Sequence, residues 1–569
     1  MHNLPEIAAS ILSTRSIAPD ALEAFLAPRL STHFPDPFSL KGMTQAVEHV
    51  ADAIMEGQTI GILADFDVDG ATSCAVMTRF LRSVTGHDTI PFFIPDRLND
   101  GYGPSEKGFD RLYKAGSKIV VTLDSGITSH DPIAHAKSLG LGTIIIDHHE
   151  ADPEKGLPNA THIINPKQPG DNSGLSMLAA VGVTFLFCVA VNSVLRARGF
   201  YEDRQEPDIK ALLDLVALGT VCDMVPLTGP NRLFVKYGFA EMEKRNNPGL
   251  CALMEVSKIT GIPDPYDAGF MLGPRINAGS RVHQSDLGAR LLSATDREDA
   301  LNIAWLLDDC NRKRQEIQKE MTKEATSMVT ALGRDNDPVI LVGDKDWHTG
   351  LTGLVAGTLK ERYGRPACAF GHVSVDEGVE LRGSGRSVPG IHIASAFMDA
   401  QSEGHLVKGG GHAMAGGFTL TPDMNEGFHQ FLVRHIAAQG QNLDPTPKKE
   451  ADCVIGAGAI SVSLAELLSR HLSPFGMGNE EPQLIVRDVH ILKPDVVGQT
   501  HLRCLIRDAN GGTSTKAIAF RSADAPLGQT LKQAASNGAP VHLMGCVKLN
   551  EWQGRVSAEF HIDDVMPCW

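Results

Sequence analysis

The chain lacks several features that would have settled its class at once. Its ten cysteines include no CxxC pair, the nearest two being Cys546 and Cys568. Such scatter speaks against a zinc ribbon, a thioredoxin-like redox motif and a disulfide framework, and it fits a reducing compartment. The opening MHNLPEIAASILSTRSI has no basic segment followed by an apolar run, so no signal peptide is expected. No internal repeat and no low-complexity tract occurs. Residues 172–195 carry no formal charge, but the strongly apolar part, 177–191, is about 15 residues, short of the roughly 20 a membrane span needs. A buried core helix is the expectation, with no membrane contact. Positive charge is also in deficit: 52 basic residues face 68 acidic ones, a net −16. A passive nucleic-acid coat is usually basic. An enzyme that meets nucleic acid through metal ions need not be, because bound cations offset its carboxylates.

What the chain does have is length. Its 569 residues, 42% apolar and 21% charged, have an ordinary globular composition and suggest about three or four domains. A cytoplasmic protein is expected. Residues 1–45 read as a helical lead-in, broken by Pro35, Pro37 and Gly42. From 46 to 294 the strands TIGILA (59–64), KIVVTL (118–123), TIIID (143–147) and HIINP (162–166) alternate with helical segments. That alternation predicts an α/β domain with a parallel, doubly wound sheet. Over 295–333, Thr295 and Glu298 have capping-box spacing and Gly333 stands where a C′ glycine belongs. One unbroken helix there would be on the order of 55 Å long and could join two domains; two shorter helices are the alternative. DPVILVGD (337–344) opens a second α/β domain over 334–445, and QGQNLDPTPKKE (439–450) has a linker's composition. Short strands with Gly and Asn turns over 451–569 predict a small, OB-like β-barrel. That region holds 10 basic and 12 acidic residues, the balance of a strand guide more than of an electrostatic anchor. Trp552 would either stack a base or fill the barrel core.

Three strands of the first domain run into acid: Asp65, Asp67 and Asp69 after the first, Asp124 after the second, and Asp147, His148 and His149 after the third. In open parallel α/β sheets ligands bind at the carboxyl ends of the strands, so the three clusters face one crevice. Asp223, after an apolar helical stretch, could add a carboxylate. Hard oxygen donors with one or two imidazoles favour Mn²⁺ or Mg²⁺ over a soft metal. So many carboxylates would repel one another in an empty site, and two divalent ions relieve that repulsion. A pair of metals is the usual machinery for in-line attack on a phosphodiester. Each piece alone has a plainer reading. DxDxDG resembles part of a calcium loop but lacks its closing Glu, adjacent histidines can line a core, and Asp124 could cap the next helix.

The conjunction, with further motifs, resembles the DHH phosphoesterase superfamily and, within it, the bacterial RecJ family of single-strand-specific exonucleases. The motifs are ADFDVDGAT (64–72), IPDRLNDGYG (94–103), TLDSGIT (122–128), IIDHHE (145–150), GTVCDMVPL (219–227), GPRINAGSRV (273–282), WHTGLTGLVAGTLKERYGRP (347–366), GSGRSVPG (383–390), GGGHAMAGG (409–417) and SPFGMGNEEP (473–482). The resemblance implies two α/β domains, DHH and DHHA1, joined by the long helix and followed by an OB-like barrel. It implies that Asp65, Asp67, Asp69, Asp124, His148 and Asp223 ligate two Mn²⁺ or Mg²⁺ ions, with Asp124 bridging. Asp147 would be a ligand or would orient His148, and His149 would face the scissile phosphate. His412 would join these catalytic groups from the GGGH run, whose Gly410 and Gly411 would offer amides in a phosphate nest. Ser384, Arg386 and Ser387, with Arg97, would hold the 5′-terminal phosphate, and Arg275, Asn277 and Arg281 would contact the DNA. One departure is visible: the family more often reads GPRxNAAGR, and here the glycine of Ala278-Gly279-Ser280-Arg281 is shifted by one.

The implied activity is 5′→3′ degradation of single-stranded DNA to 5′-mononucleotides, in DNA repair and recombination. The enzyme would be a monomer working with a single-stranded-DNA-binding protein and a RecQ-type helicase. An oligoribonuclease or nucleotide phosphatase of the same superfamily is the first alternative, and an inactive scaffold in a replication complex the second. The barrel speaks against the former and the full set of acids against the latter.

Overall fold

The strands read from sequence are present, and their register decides where the acids stand. The structure, a computed structural model, describes residues 4–568 apart from residues 16, 98, 376–377, 441–448 and 553. The centre of the expected linker and the side chain of Trp552 lie outside the described residues. The chain forms two compact units, one of residues 37–223 and 238–446, the other of 1–36, 224–237 and 447–569.

The larger unit opens with five parallel strands: β1 (Ile60–Ala64), β2 (Phe92–Phe93), β3 (Ile119–Leu123), β4 (Gly142–Ile146) and β5 (His162–Ile164), in the order β2-β1-β3-β4-β5. Every residue of β1 and β3 is buried, as continuous apolar runs require when helices cover both faces of a sheet. Ala64 pairs with Leu123 and Leu123 with Ile146, so Asp65, Asp124 and Asp147 leave the sheet side by side.

Helix α1 (Val68–Thr85) begins directly after β1, with Asp67 as its N-cap. A Cβ on Gly70 would lie 2.3 Å from the Asp65 carbonyl oxygen, so only glycine lets the helix start this close to the strand end. The apolar run 177–191 lies in the segment leading into and forming α2 (Ala180–Ala197), which is long and apolar enough to cross a membrane by composition alone. It is instead a core helix of this unit: 72% of it is buried. Helix α3 (Leu213–Cys222) ends at Asp223 and lies against α1 at Gly219, whose Cβ would meet Thr72 Oγ1 at 2.3 Å.

After α4 (Gly273–Val282) comes α5 (Arg297–Ala331), a single helix of 35 residues. Its N-cap is Asp296, which accepts from the Asp299 amide, and not Thr295. A carboxylate so placed also meets the positive end of the helix dipole. Gly333 follows with φ +64°, the left-handed conformation expected at C′. Met321, Ala325 and Val329 of α5 pack into the core of the second α/β half. There β6 (Ile340–Asp344) pairs in parallel with β7 (Ala367–Val375), and β8 (Gly378–Arg386), β9 (Lys408–His412) and β10 (Ala415–Leu420) extend the sheet antiparallel, in the order β6-β7-β8-β10-β9. Helix α6 (Thr352–Tyr363) lies between β6 and β7 in sequence.

The smaller unit holds β11 (Cys453–Ile455), β12 (Leu484–Val497), β13 (His501–Asp508), β14 (Thr515–Ala519), β15 (Val541–Trp552) and β16 (Arg555–Pro567). Five of them close a ring, because β12 pairs with both β13 and β15. The N-terminal residues, expected as a lead-in to the first α/β domain, instead pack here: Ile11, Leu12 and Phe25 share a core with Leu468, Leu484 and Leu531. Composition shows an amphipathic helix but not which apolar surface receives it. The fully buried Arg232 ties the unit together, donating to the carbonyls of Phe25, Leu472 and Ser473 with its guanidinium 3.8 Å from the Phe25 ring centroid. Arg232→Met is expected to cost about 3 kcal/mol, roughly 1 kcal/mol for each carbonyl left without a donor. A melting curve superimposable on that of the parent chain would contradict this.

Candidate active site

The seven acids and histidines of the strand-end motifs converge with Asp223 in the larger unit; six of these eight form two triads, and Asp124 and His148 also group with His149. Ligand atoms of Asp65, Asp67 and Asp124 lie within 4.8 Å of one another, as do those of Asp69, His148 and Asp223. His148 joins the triads: its Nε2 is 3.4 Å from Asp124 Oδ1, 3.7 Å from Asp223 Oδ2 and 3.8 Å from Asp69 Oδ2. Its Nδ1 lies 3.2 Å from the Leu178 carbonyl, an acceptor only, so Nδ1 carries the proton and Nε2 presents a lone pair to the acids.

Two of these carboxylates also hold backbone amides. Asp67 Oδ1 accepts from the amides of Asp69 and Gly70, and the Asp69 carboxylate accepts from those of Ala180 and Val181 at the start of α2. Asp124 caps no helix. It sits at φ +58°, a left-handed conformation uncommon outside glycine.

The donor set fits cations by an independent criterion. Asp65 Oδ1, Asp124 Oδ1 and Asp223 Oδ2 are buried and accept no hydrogen bond, an arrangement that is costly unless something positive meets them. Burial first, and then neighbouring carboxylates, push Asp65 and Asp124 well above the ordinary range, Asp69 up to about 7 and Asp223 up to about 9. Folded values above the ordinary 3.8 mean that these groups cost the metal-free fold more as they ionise. The metal-free protein is therefore expected to lose stability as pH rises from about 4 towards about 9, and Mn²⁺, replacing the protons, to restore it. Melting curves with chelator and with Mn²⁺ across that range check this. The same pH dependence under both conditions would contradict it.

Asp147 departs from the expected role. It belongs to neither triad and does not orient the His148 ring. Its Oδ1 accepts from the amides of His148 and His149 and from His149 Nδ1 at 2.7 Å, and its Oδ2 accepts from the Ile127 amide. Sharing the strand-end loop with His149 puts that ring, two residues on, within its reach. Burial would raise Asp147, but the His149 hydrogen bond and charge and the amides outweigh it and hold the group down to about 2. Burial likewise disfavours the His149 cation, yet Asp147 leaves that imidazole above its ordinary value. His148 has no such partner, and burial takes it down to about 4. Tyr102, unremarked within the IPDRLNDGYG motif, places its hydroxyl 3.2 Å from the Asp124 carbonyl and 3.2 Å from His149 Nδ1.

The second half contributes His412, whose ring lies near-parallel to that of His149 at 6.4 Å between centroids. The GGGH run is not a nest. It is the edge strand β9, with Gly410 opposite Gly417 and Gly411 opposite Gly416, and its glycines allow close backbone approach: a Cβ on Gly411 would lie 2.5 Å from the Ala415 carbonyl oxygen.

Four arginines gather nearby. Arg281 donates to the Gly350 carbonyl, and burial, then the like charges of Arg97, Arg314 and Arg386, pull it down to about 9. Arg97 lies 4.0 Å over the Phe66 ring, and its buried Nε has no hydrogen-bond partner. Arg386 reaches α6, where a Cβ on Gly353 would be 2.8 Å from its Nη2 and 3.5 Å from Ser384 Cβ. Asn277 Oδ1 is buried without a hydrogen-bond partner.

Two other expectations fail. Arg275 is committed to Asp308 and to the Met271 carbonyl, tying α4 to α5. Ser387 is buried and its hydroxyl donates to the Ile391 carbonyl. Arg314 is the reverse case. It lies mid-way along α5, bonded to Asn311 and Gln318, in the charged segment NRKRQE that carries no motif signal.

Family models match three segments: the DHH family N-terminal domain at residues 59–220, the DHHA1 domain at 336–438 and the RecJ OB domain at 451–564. The single-stranded-DNA-specific exonuclease RecJ of Salmonella typhimurium is 35% identical over 544 residues, 93% of this chain and 91% of that protein. The protein of the same description from Escherichia coli is 35% identical over 541 residues, with the same shares covered. Among solved structures, RecJ from Thermus thermophilus in complex with Mn²⁺ superposes with a TM-score of 0.78 at 25% identity, covering 100% of this chain and 76% of that one.

Proposed function

The chain belongs to the RecJ family of single-stranded-DNA-specific exonucleases, and we propose that it degrades single-stranded DNA from the 5′ end, releasing 5′-mononucleotides. It is a nuclease that depends on divalent metal, Mn²⁺ or Mg²⁺. The observation that carries the residue-level reading is the pair of triads with three buried carboxylate oxygens that accept no hydrogen bond. Asp65, Asp67 and Asp124 would hold one ion and Asp69, His148 and Asp223 the other, with Asp124 between them. Bound there, the ions supply an activated water and neutralise charge on the phosphate oxygens.

The chain's own groups do the rest. Asp147 fixes the His149 ring through Nδ1 and favours its protonated form, and an imidazolium there would stabilise charge on the scissile phosphate. His412 flanks the same space. Arg97, Arg281, Arg314 and Arg386, with Ser384 and the start of α6, receive the 5′-terminal phosphate, a doubly charged group that matches a cluster of otherwise repelling guanidinium groups. Asn277 lines the approach.

Asp147→Asn is expected to lower turnover by about 10- to 100-fold, the usual cost of losing a residue that orients a working group. It should also move the alkaline fall of kcat to lower pH, since His149 loses the charge that favours its protonated form. A reduced kcat with an unshifted pH profile would mean that Asp147 is merely structural.

The partners and setting suggested by this reading are a single-stranded-DNA-binding protein and a RecQ-type helicase, and a monomeric enzyme in the cytoplasm acting in repair and recombination. The deciding experiment is a time course on single-stranded DNA with a 5′ phosphate and a 3′ label, with Mn²⁺ or chelator. Metal-dependent shortening from the 5′ end, absent on blunt duplex, is the expected result. Turnover of di- to pentanucleotides alone would make the enzyme an oligonucleotide hydrolase.

A further inference from the structure

The strand order that lines up the acids also fixes what stands at either end of their row. Along the sheet β2-β1-β3-β4-β5, the chain leaving β2 carries Arg97, and β1, β3 and β4 run into Asp65, Asp124 and Asp147. The last strand end, that of β5, is Asn165-Pro166-Lys167. Ile146 pairs with Ile164, and the Asp147 amide donates to the Ile164 carbonyl at 3.1 Å, so Asn165 stands beside Asp147. Asn165 is fully buried and joins the two loops. Its Nδ2 donates to the His149 carbonyl at 2.9 Å, and its Oδ1 accepts from the Lys167 amide at 2.7 Å. One side chain therefore ties Lys167 to the backbone of His149. The Lys167 ammonium meets Glu150 at 3.7 Å, and that carboxylate is 69% exposed. An ion pair so open to water holds its partners weakly. Burial is the largest influence on His148, Asp223 and His412, and the Lys167 ammonium lowers the proton affinity of all three, so its charge is felt across the site.

We propose that Lys167 binds a phosphate of the DNA strand on the 3′ side of the bond to be cut. This rests on the exonuclease reading above and adds a contact for the part of the strand that stays behind. With neighbouring strands about 4.8 Å apart, β5 lies three spacings, about 14 Å, from β1. The arginines that receive the 5′-terminal phosphate begin on the β2 side with Arg97, and the triads occupy the middle of the row. A strand with its first phosphate at Arg97 and its scissile phosphate at the triads carries its next phosphates towards the β5 end, where Lys167 stands. An ammonium acts there as a point charge, neutralising a phosphate oxygen without fixing its approach. Glu150 is the partner that such a phosphate displaces. Once the mononucleotide has left the arginines, this contact still holds the shortened strand.

The test compares the full parent chain with Lys167→Met and Lys167→Arg, under saturating Mn²⁺, on 5′-phosphorylated single-stranded DNA over a range of salt. Lys167→Met should raise KM about 10-fold, change kcat little, and make log KM against log salt shallower by about 0.7, the share of one single-strand phosphate contact. Lys167→Arg should restore the parent values. Both variants should melt with the parent chain, since the side chain they alter is paired only loosely with Glu150. Neutral methylphosphonates at the two linkages after the scissile one should raise KM for the parent chain and add little in Lys167→Met. A penalty as large in Lys167→Met as in the parent chain would overturn the proposal, and so would an unchanged salt slope. A fall in kcat at unchanged KM would also overturn it, because Lys167 would then support the metal site and not the strand. A parent chain that leaves single-stranded DNA intact would instead overturn the exonuclease reading on which the contact rests.

Discussion

Asp124→Asn is expected to lower exonuclease turnover by at least about 10³-fold while leaving the metal-free protein as stable as the parent chain, or more so. The loss amounts to about 4 kcal/mol of transition-state stabilisation, a reasonable share of what two metal ions contribute. Asp124 stands between the triads: it groups with Asp65 and Asp67, and its Oδ1 lies 3.4 Å from the His148 nitrogen of the other triad. Asparagine is the informative replacement. It tolerates the left-handed backbone at φ +58°, whereas alanine would add about 1–2 kcal/mol of strain and blur the result. It also removes a buried charge that burial and four neighbouring aspartates oppose. Turnover within tenfold of the parent chain, under saturating Mn²⁺, would refute the bridging role.

Arg386→Ala is expected to lower kcat/KM on 5′-phosphorylated single-stranded DNA by about 10²-fold and to have little effect on a 5′-hydroxyl strand. A charge-assisted hydrogen bond is worth about 1.5–3 kcal/mol, and 10²-fold lies at the upper end of that range. The side chain lies among like charges and beside the start of α6, so an anion is the partner its surroundings lack. Removing it should also ease the repulsion on Arg281, so the unliganded variant is expected to melt no lower than the parent. An equal loss on both substrates would make Arg386 a general backbone contact and leave the 5′-phosphate pocket without its main support.

The chemistry was legible in the sequence because it is written in strand ends. GILA, VVTL and TIII each run directly into acid, and a parallel sheet brings the carboxyl ends of its strands to one edge whatever the details of packing. The long helix was legible from its end signals, Gly333 among them, although its cap belongs to Asp296 and not Thr295. Several roles were not legible, because they depend on which group a side chain meets. Asp147 serves His149 and not His148, since its carboxylate is filled by three amides and a ring nitrogen. Arg275 and Ser387 match the motif but spend their hydrogen bonds inside the protein. Arg314 carries no motif and reaches the arginine cluster only because α5 crosses between the two α/β halves.

By itself, then, the sequence determined the parallel sheet, the barrel and the set of acids at one sheet edge, since apolar periodicity and backbone chirality leave little choice in these. Only the tertiary structure decided which carboxylates keep a free oxygen, which histidine ring pairs with Asp147 and where the N-terminal helices dock. Those outcomes depend on competition among nearby donors, acceptors and apolar faces, and that competition exists only once residues far apart in the chain have been brought together.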